Sequence, residues 1–270
     1  KAAAIQVAEI GANVVMACRS LERGAEAQRE VQQRAGSGLV ELMQVDLASM
    51  DSVRNFAVAF KQGHSRLDVL LHNAANFDLT LKKPVLTPDG IESIFATNHV
   101  GVFLLTQLLL DVLKASAPSR IITVASKGLL VYPLLDIEFD NLNGERTFNP
   151  QRAYYHSKLA QVMYTYTLAE RLAGTGVTVN CVRVGNVGLA DDRLQHLPGF
   201  LKKLYALKKG LSITPEEMAR TYVYLAADPA LEEVTGGYWD ENGRQVKSNA
   251  ASYNRETWQK LWQATEELIS

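Results

Sequence analysis

The order of elements along this chain predicts an α/β fold, a doubly wound parallel sheet in a single domain spanning residues 1–270. Short apolar runs rich in β-branched residues alternate with longer stretches of helical period. That rhythm implies right-handed crossovers between parallel strands. No Pro-, Gly- or Ser-rich stretch divides the chain, and 270 residues fall within the range of one α/β domain.

Lys1 to Ile10 reads as a helix closed by Gly11, and Asn13 to Cys18 as an apolar strand. Leu21 to Arg34 is a charged amphipathic helix, Leu39 to Val45 a strand, Asp51 to Gln62 a helix and Leu67 to Leu71 a strand. A long helix is expected from Pro88 to Ala115, then a strand from Arg120 to Ala125. A helix from Pro150 to Leu172 and a strand from Val177 to Arg183 follow. Thr214-Pro215-Glu216-Glu217 starts another helix, with a hydroxyl cap, proline in the first turn and acid beside it.

A net charge of -1 with interspersed signs gives no basic face, which argues against a nucleic-acid partner and for a small ligand. Cys18 and Cys181 fall in separate predicted strands. They read as buried thiols in a reducing compartment, the cytosol, rather than as a disulfide or metal pair, and no metal site is expected. Val100 to Leu113 is the most apolar stretch, but Thr106, Gln107 and Asp111 interrupt it and it is shorter than the roughly 20 residues of a membrane span. It is expected to be a core helix, with no span and no secretory or transit segment.

The chemistry lies further on. In Ala153-Tyr154-Tyr155-His156-Ser157-Lys158 a tyrosine and a lysine stand four apart on a predicted helix, hence on one face. A tyrosine titrates near about 10, and a neighbouring ammonium favours its phenolate, bringing it toward proton exchange at neutral pH. Such a pair also arises by chance on amphipathic helices. Ser126 ends the run Arg120 to Ala125, where a buried strand delivers a side chain to the carboxyl edge of a sheet.

With these residues in place, the chain resembles the short-chain dehydrogenase/reductase family, and within it the retinol-dehydrogenase-like branch. The likeness is carried by Val45-Asp46-Leu47, by Leu67-Asp68-Val69-Leu70-Leu71-His72-Asn73-Ala74-Ala75 and by Thr97-Asn98-His99-Val100-Gly101. Ser126 and Ala153-Tyr154 through Ser157-Lys158-Leu159-Ala160 complete it. The resemblance implies a Rossmann-type sheet and an NAD(P)-dependent alcohol–carbonyl oxidoreductase. In it Tyr154 is the acid/base, Lys158 lowers the tyrosine pKa and binds the nicotinamide ribose, Ser126 polarises the substrate oxygen, and Asn98 holds a relay water. Read without the resemblance, Asn98 is equally a helix-interior amide bonded to backbone.

The resemblance also implies cofactor contacts at Asp46 and Leu47, at Asn73 and Ala74, and at Val187. Arg19 follows the strand ending at Cys18, where an acid would select NAD; an arginine fork suits the phosphate of NADP, unless Arg19 is an ordinary surface charge. NADP is therefore expected over NAD. His72 reads as a cofactor neighbour or, preferably, as a satisfied half-buried imidazole. A strand and glycine-rich turn should precede the first helix of such a fold to receive the pyrophosphate, and the sequence holds no such turn. An N-terminal extension carrying them is expected.

Four departures from the family pattern stand out: His72 for asparagine, Ala75 for glycine, Val184 for proline and Leu189 for a hydroxyl residue. Residues 188–212 carry apolar side chains at helical spacing and read as a substrate lid over an apolar or aromatic substrate, a plain surface helix or a dimer contact. The family commonly dimerises through the helices bearing Asn98 and Tyr154, so a homodimer is implied by resemblance. The competing reading is a catalytically weakened member acting as a binding or regulatory protein, and a lyase, epimerase or related reductase would share Tyr154 and Lys158.

Overall fold

The computed structural model describes residues 1–36, 38–185, 187 and 212–270. Helix α1 (Ala2–Glu9) ends at Ile10 and is followed by Gly11 at φ +89°, a left-handed turn open to glycine. Strand β1 (Val14–Cys18), helix α2 (Leu21–Arg34) and strand β2 (Val40–Gln44) follow. Helix α3 (Met50–Gly63) leads to β3 (Val69–His72). Ser20 and Ser49 cap α2 and α3 by accepting the N–H groups of Arg23 and Ser52.

The long central helix begins at Ser93, not at Pro88. Thr87 and Gly90 form a turn instead, Gly90 at φ +76°, and Glu92 caps the helix by accepting from Ile94 and Phe95 N–H. Its first turn, α4 (Ser93–Phe95), widens into a π-turn (Ala96–Val100) and continues as α5 (Gly101–Ala115). The 23 residues from Ser93 to Ala115 are long and apolar enough to cross a membrane, which the shorter stretch read from sequence was not. In the fold most of that helix is buried, packed against α3 and the helix that follows.

Strand β4 (Ser119–Ser126), a 3-10 turn (Lys127–Val131), α6 (Pro150–Arg171) and β5 (Val177–Val184) come next. Helix α7 (Pro215–Ala227) opens with a full Thr214–Glu217 capping box. The short strand β6 (Tyr238–Trp239) and the C-terminal helix α8 (Arg255–Ile269) complete the described elements.

All ladders between these strands are parallel, as expected, but they form two sheets: β1–β2, and β3–β4–β5–β6 in that order. Among the described residues no ladder joins β1 to β3. The main core lies between the larger sheet and helices α3, α5, α6 and α8, whereas Ile5, Ala8, Val31 and Val40 form a small separate cluster beneath β1–β2.

Helix α6 is buried on all sides from His156 to Ala169. Strands β4 and β5 cover one face, and α8 lies on another, with Trp262 against Phe103 (4.7 Å) and Tyr164 (5.8 Å) and the Arg171 guanidinium 3.8 Å from the indole. The stretch of α6 from His156 to Ala169 is covered within the chain itself. The segment read as a lid, 188–212, lies outside the described residues apart from Ser212.

Candidate active site

Ser126 stands at the carboxyl tip of β4, paired in register with Val184 of β5. Tyr154 projects from the first turns of α6, a helix set by the Asn149 cap, which accepts from Arg152 N–H, and by Pro150 behind it. Ser126 hydrogen-bonds the Tyr154 phenol, so strand tip and helix meet as the sequence anticipates. Lys158 is 1% exposed, and its Nζ lies 5.8 Å from the Tyr154 ring centroid.

The electrostatics differ from the expectation. Burial pushes the phenol of Tyr154 up to about 12, with the Ser126 hydrogen bond pulling the other way. Burial likewise draws Lys158 down to about 8. The ammonium donates to the Val124 main-chain carbonyl at 2.7 Å, on the inner side of the strand, and desolvation governs both groups. Lowering of the tyrosine by the lysine, which the four-residue spacing suggests, is therefore not met in this arrangement.

Asn98 follows its plainer reading. Its Oδ1 accepts from Asn76 N–H at 2.6 Å, and its Nδ2 donates to Asn76 O and to Ser157 Oγ, each at 3.0 Å. Ser157 in turn donates to the Tyr154 carbonyl at 2.7 Å. The Asn98 main-chain oxygen, at the centre of the π-turn, accepts from Gln161 Nε2. Asn98 is thus joined to the site as a bracket holding residue 76, and the atoms expected to hold a water are engaged with protein groups.

That bracket places a residue the sequence did not single out. Phe77 follows Asn76, and its ring centroid lies 4.2 Å from that of Tyr154, with the ring itself half in solvent. Tyr155 packs on Tyr132 at 4.7 Å, and a Cβ on Gly128 would strike the Tyr155 ring at 2.3 Å. Leu130, Val131 and Leu134 on this side, and Leu79 beyond Phe77, are exposed. An aromatic side chain in an irregular loop has no period to mark it, so only the fold reveals Phe77.

The expected cofactor residues occupy the carboxyl ends of several strands. Arg19, one residue beyond β1, is exposed, and among the described residues its guanidinium has no ion-pair partner. Asp46 forms a tight turn, its Oδ1 accepting from Ala48 N–H at 3.0 Å, while Leu47 is buried. A Cβ at Gly101 would lie 2.1 Å from the Leu47 carbonyl oxygen, so this loop rests directly on the helix that bears Asn98. Asn73 and Ala74 are exposed just beyond β3, and Val187 bridges to Ile213. His72 is a satisfied imidazole, fully rather than half buried, 2.8 Å from Thr106 Oγ1 and pulled down to about 3 by burial. No group of metal-ligating side chains occurs among the described residues.

Comparison with known proteins bears on this arrangement. A family model described as short chain dehydrogenase matches residues 1–134. Retinol dehydrogenase 14 from Homo sapiens is 40% identical over 283 residues, covering 100% of this chain and 82% of that protein. Retinol dehydrogenase 11 from Homo sapiens is 36% identical over 269 residues, with 100% and 81% covered. Among solved structures, an uncharacterized protein from Mycobacterium Paratuberculosis superposes with a TM-score of 0.72 at 28% identity, over 99% of this chain and 87% of that one. A short chain dehydrogenase from Shigella flexneri, complexed with NADP, shares the fold with a TM-score of 0.66 at 22% identity, covering 88% and 90%.

Proposed function

The chain belongs to the short-chain dehydrogenase family and is an oxidoreductase, and from that premise we propose that it interconverts an apolar alcohol and its carbonyl with NADP. The observation that carries the reading is the Ser126 hydroxyl bonded to the Tyr154 phenol at the mouth of a strand tip, with a buried lysine behind them.

Oxidising an alcohol requires its hydroxyl proton to leave as the hydride does, and reduction requires that proton back. Tyr154 Oη is the proton-exchanging atom, and Ser126 Oγ donates to the substrate oxygen and fixes it there. With its phenol held protonated by burial, Tyr154 is set to donate to a carbonyl oxygen. Phe77 presses on the Tyr154 ring and offers a flat apolar wall to the substrate.

Residues at the strand ends fit a dinucleotide: the exposed Arg19 suits a 2'-phosphate, and exposed Asn73 and Ala74 offer backbone to the cofactor. When bound, the nicotinamide supplies or accepts the hydride. The exposed Leu79, Leu130, Val131 and Leu134 support an apolar substrate, as do relatives named retinol dehydrogenases. Tyr154→Phe is expected to lower turnover of such substrates by about a thousandfold while leaving NADPH binding intact. Steady-state assay beside a fluorescence titration checks both, and unchanged turnover sinks the acid/base reading.

A further inference from the structure

The carboxyl ends of β4, β5 and β6 converge on one acidic side chain. Glu241 lies two residues past β6, and its side chain is 8% exposed. Its Oε1 accepts from the Nζ of Lys127, the residue directly after Ser126. Its Oε2 accepts from Arg183 Nε at 3.3 Å, and Arg183 is the register partner of Ala125, one pair before the end of the β4–β5 ladder. A Cβ built on Gly185 would sit 3.5 Å from Glu241 Cγ, Cδ and Oε1, so the acid also packs on the backbone leading to Val187. Thr221 Oγ1 donates to the Glu241 carbonyl at 2.8 Å and pins the acid to α7.

An ordinary surface ion pair contributes little. Here the arm to Arg183 is of another kind, because both side chains are largely out of water, at 13% and 8% exposure. Removing one partner leaves the other charge unpaired in a poorly solvated place. Strand β5 ends in Val184, which has no ring to limit its φ, so restraint of the turn beyond it falls to side chains.

We propose that Glu241 is a positioning residue whose carboxylate ties the segment after Ser126 to the turn after β5, fixing Gly185 and Val187, and the nicotinamide end of the cofactor they face, relative to Ser126 and Tyr154. This rests on the alcohol–carbonyl reading above and adds the device that aligns its two sides.

The test is NADPH titration of the full chain, read by nicotinamide fluorescence, with Glu241→Gln and Glu241→Asp. Charge alone acts in the opposite direction, since removing a negative group near an anionic cofactor tightens binding. Loss of the bracket raises the Kd by about tenfold, with Glu241→Asp recovering part of the loss. An unchanged or lower Kd in folded Glu241→Gln overturns the proposal. Should that variant fail to fold, Glu241→Asp is read alone: it keeps the charge and shortens the reach to Lys127 and Arg183, and a rise of about threefold in Kd is expected; no rise overturns it. Tyr154→Phe in parallel separates the readings, because persistent turnover in that variant removes the acid/base assignment and leaves the binding result for Glu241 to stand or fall alone. Wild-type protein binding neither dinucleotide overturns both.

Discussion

Strands β1 and β2 lead to the residues expected to face the adenine end, Arg19 and Asp46, whereas the four-stranded sheet carries at the tip of β4 the residue expected to meet the substrate, Ser126. The second sheet is buried almost throughout β4 and β5 and leans on a core reaching from Val45 to Trp262. The first is half-exposed along β1 and rests on four small side chains. Proton transfer depends on a few atoms held to fractions of an ångström, so its residues sit where packing leaves no slack. In the proposed reading, holding a phosphate asks for charge at a surface, for which Arg19 needs only an exposed strand end.

Substitutions measure that contrast directly. Phe103→Ala, between Tyr164 (5.3 Å) and Trp262 (4.7 Å), is expected to cost about 3–5 kcal/mol in denaturant unfolding. Val31→Ala in the small cluster removes two methyl groups from a fully buried site and is expected to cost about 1.5 kcal/mol. Equal losses would sink the contrast, because Val31→Ala removes far fewer buried carbons than Phe103→Ala.

Acid sharpens the same comparison. His72 and His99 are held down to about 3 and His156 to about 4, burial being the largest cause in each, against an ordinary 6.5. Because the unfolded chain binds more protons between those values, stability present above pH 6.5 is lost as pH falls through that window. Glu92, whose carboxyl burial raises, opposes the trend at the acid end. All three imidazoles belong to the four-stranded half, so hydrogen exchange at pH 5 against pH 7 should show protection falling in α5 and α6 more than in β1 and β2. The smallest effect is expected at Arg19: Arg19→Ala raises the Kd for NADPH by about tenfold and leaves that for NADH unchanged, read by titration of both.

Much of this was legible beforehand, where pattern is strong. Helix α2 spans Leu21–Arg34 as its caps and charges dictate, and the Tyr154–Lys158 spacing does set the ammonium beside the Tyr154 ring. What escaped is what short or aperiodic segments hide. Strand β6 has two residues and therefore no period, and α8 follows a polar stretch that disguises its Trp258–Leu261–Trp262 stripe. The lysine's turn toward Val124 is a consequence of how deeply α6 sinks between the sheet and α8, which no local spacing encodes. The contact of Asn98 with Asn76 escaped for the same reason, since Asn76 lies in a loop without repeat.

Gly101 gives the two halves a common ruler. Where its absent side chain lets the Leu47 carbonyl come to rest, the distance between the loop after β2 and the helix that bears Asn98 is calibrated by a single hydrogen atom. Any larger side chain at this position must push the loop after β2 off the helix, so changes of shape in this part of the fold must work through other positions and leave that contact untouched.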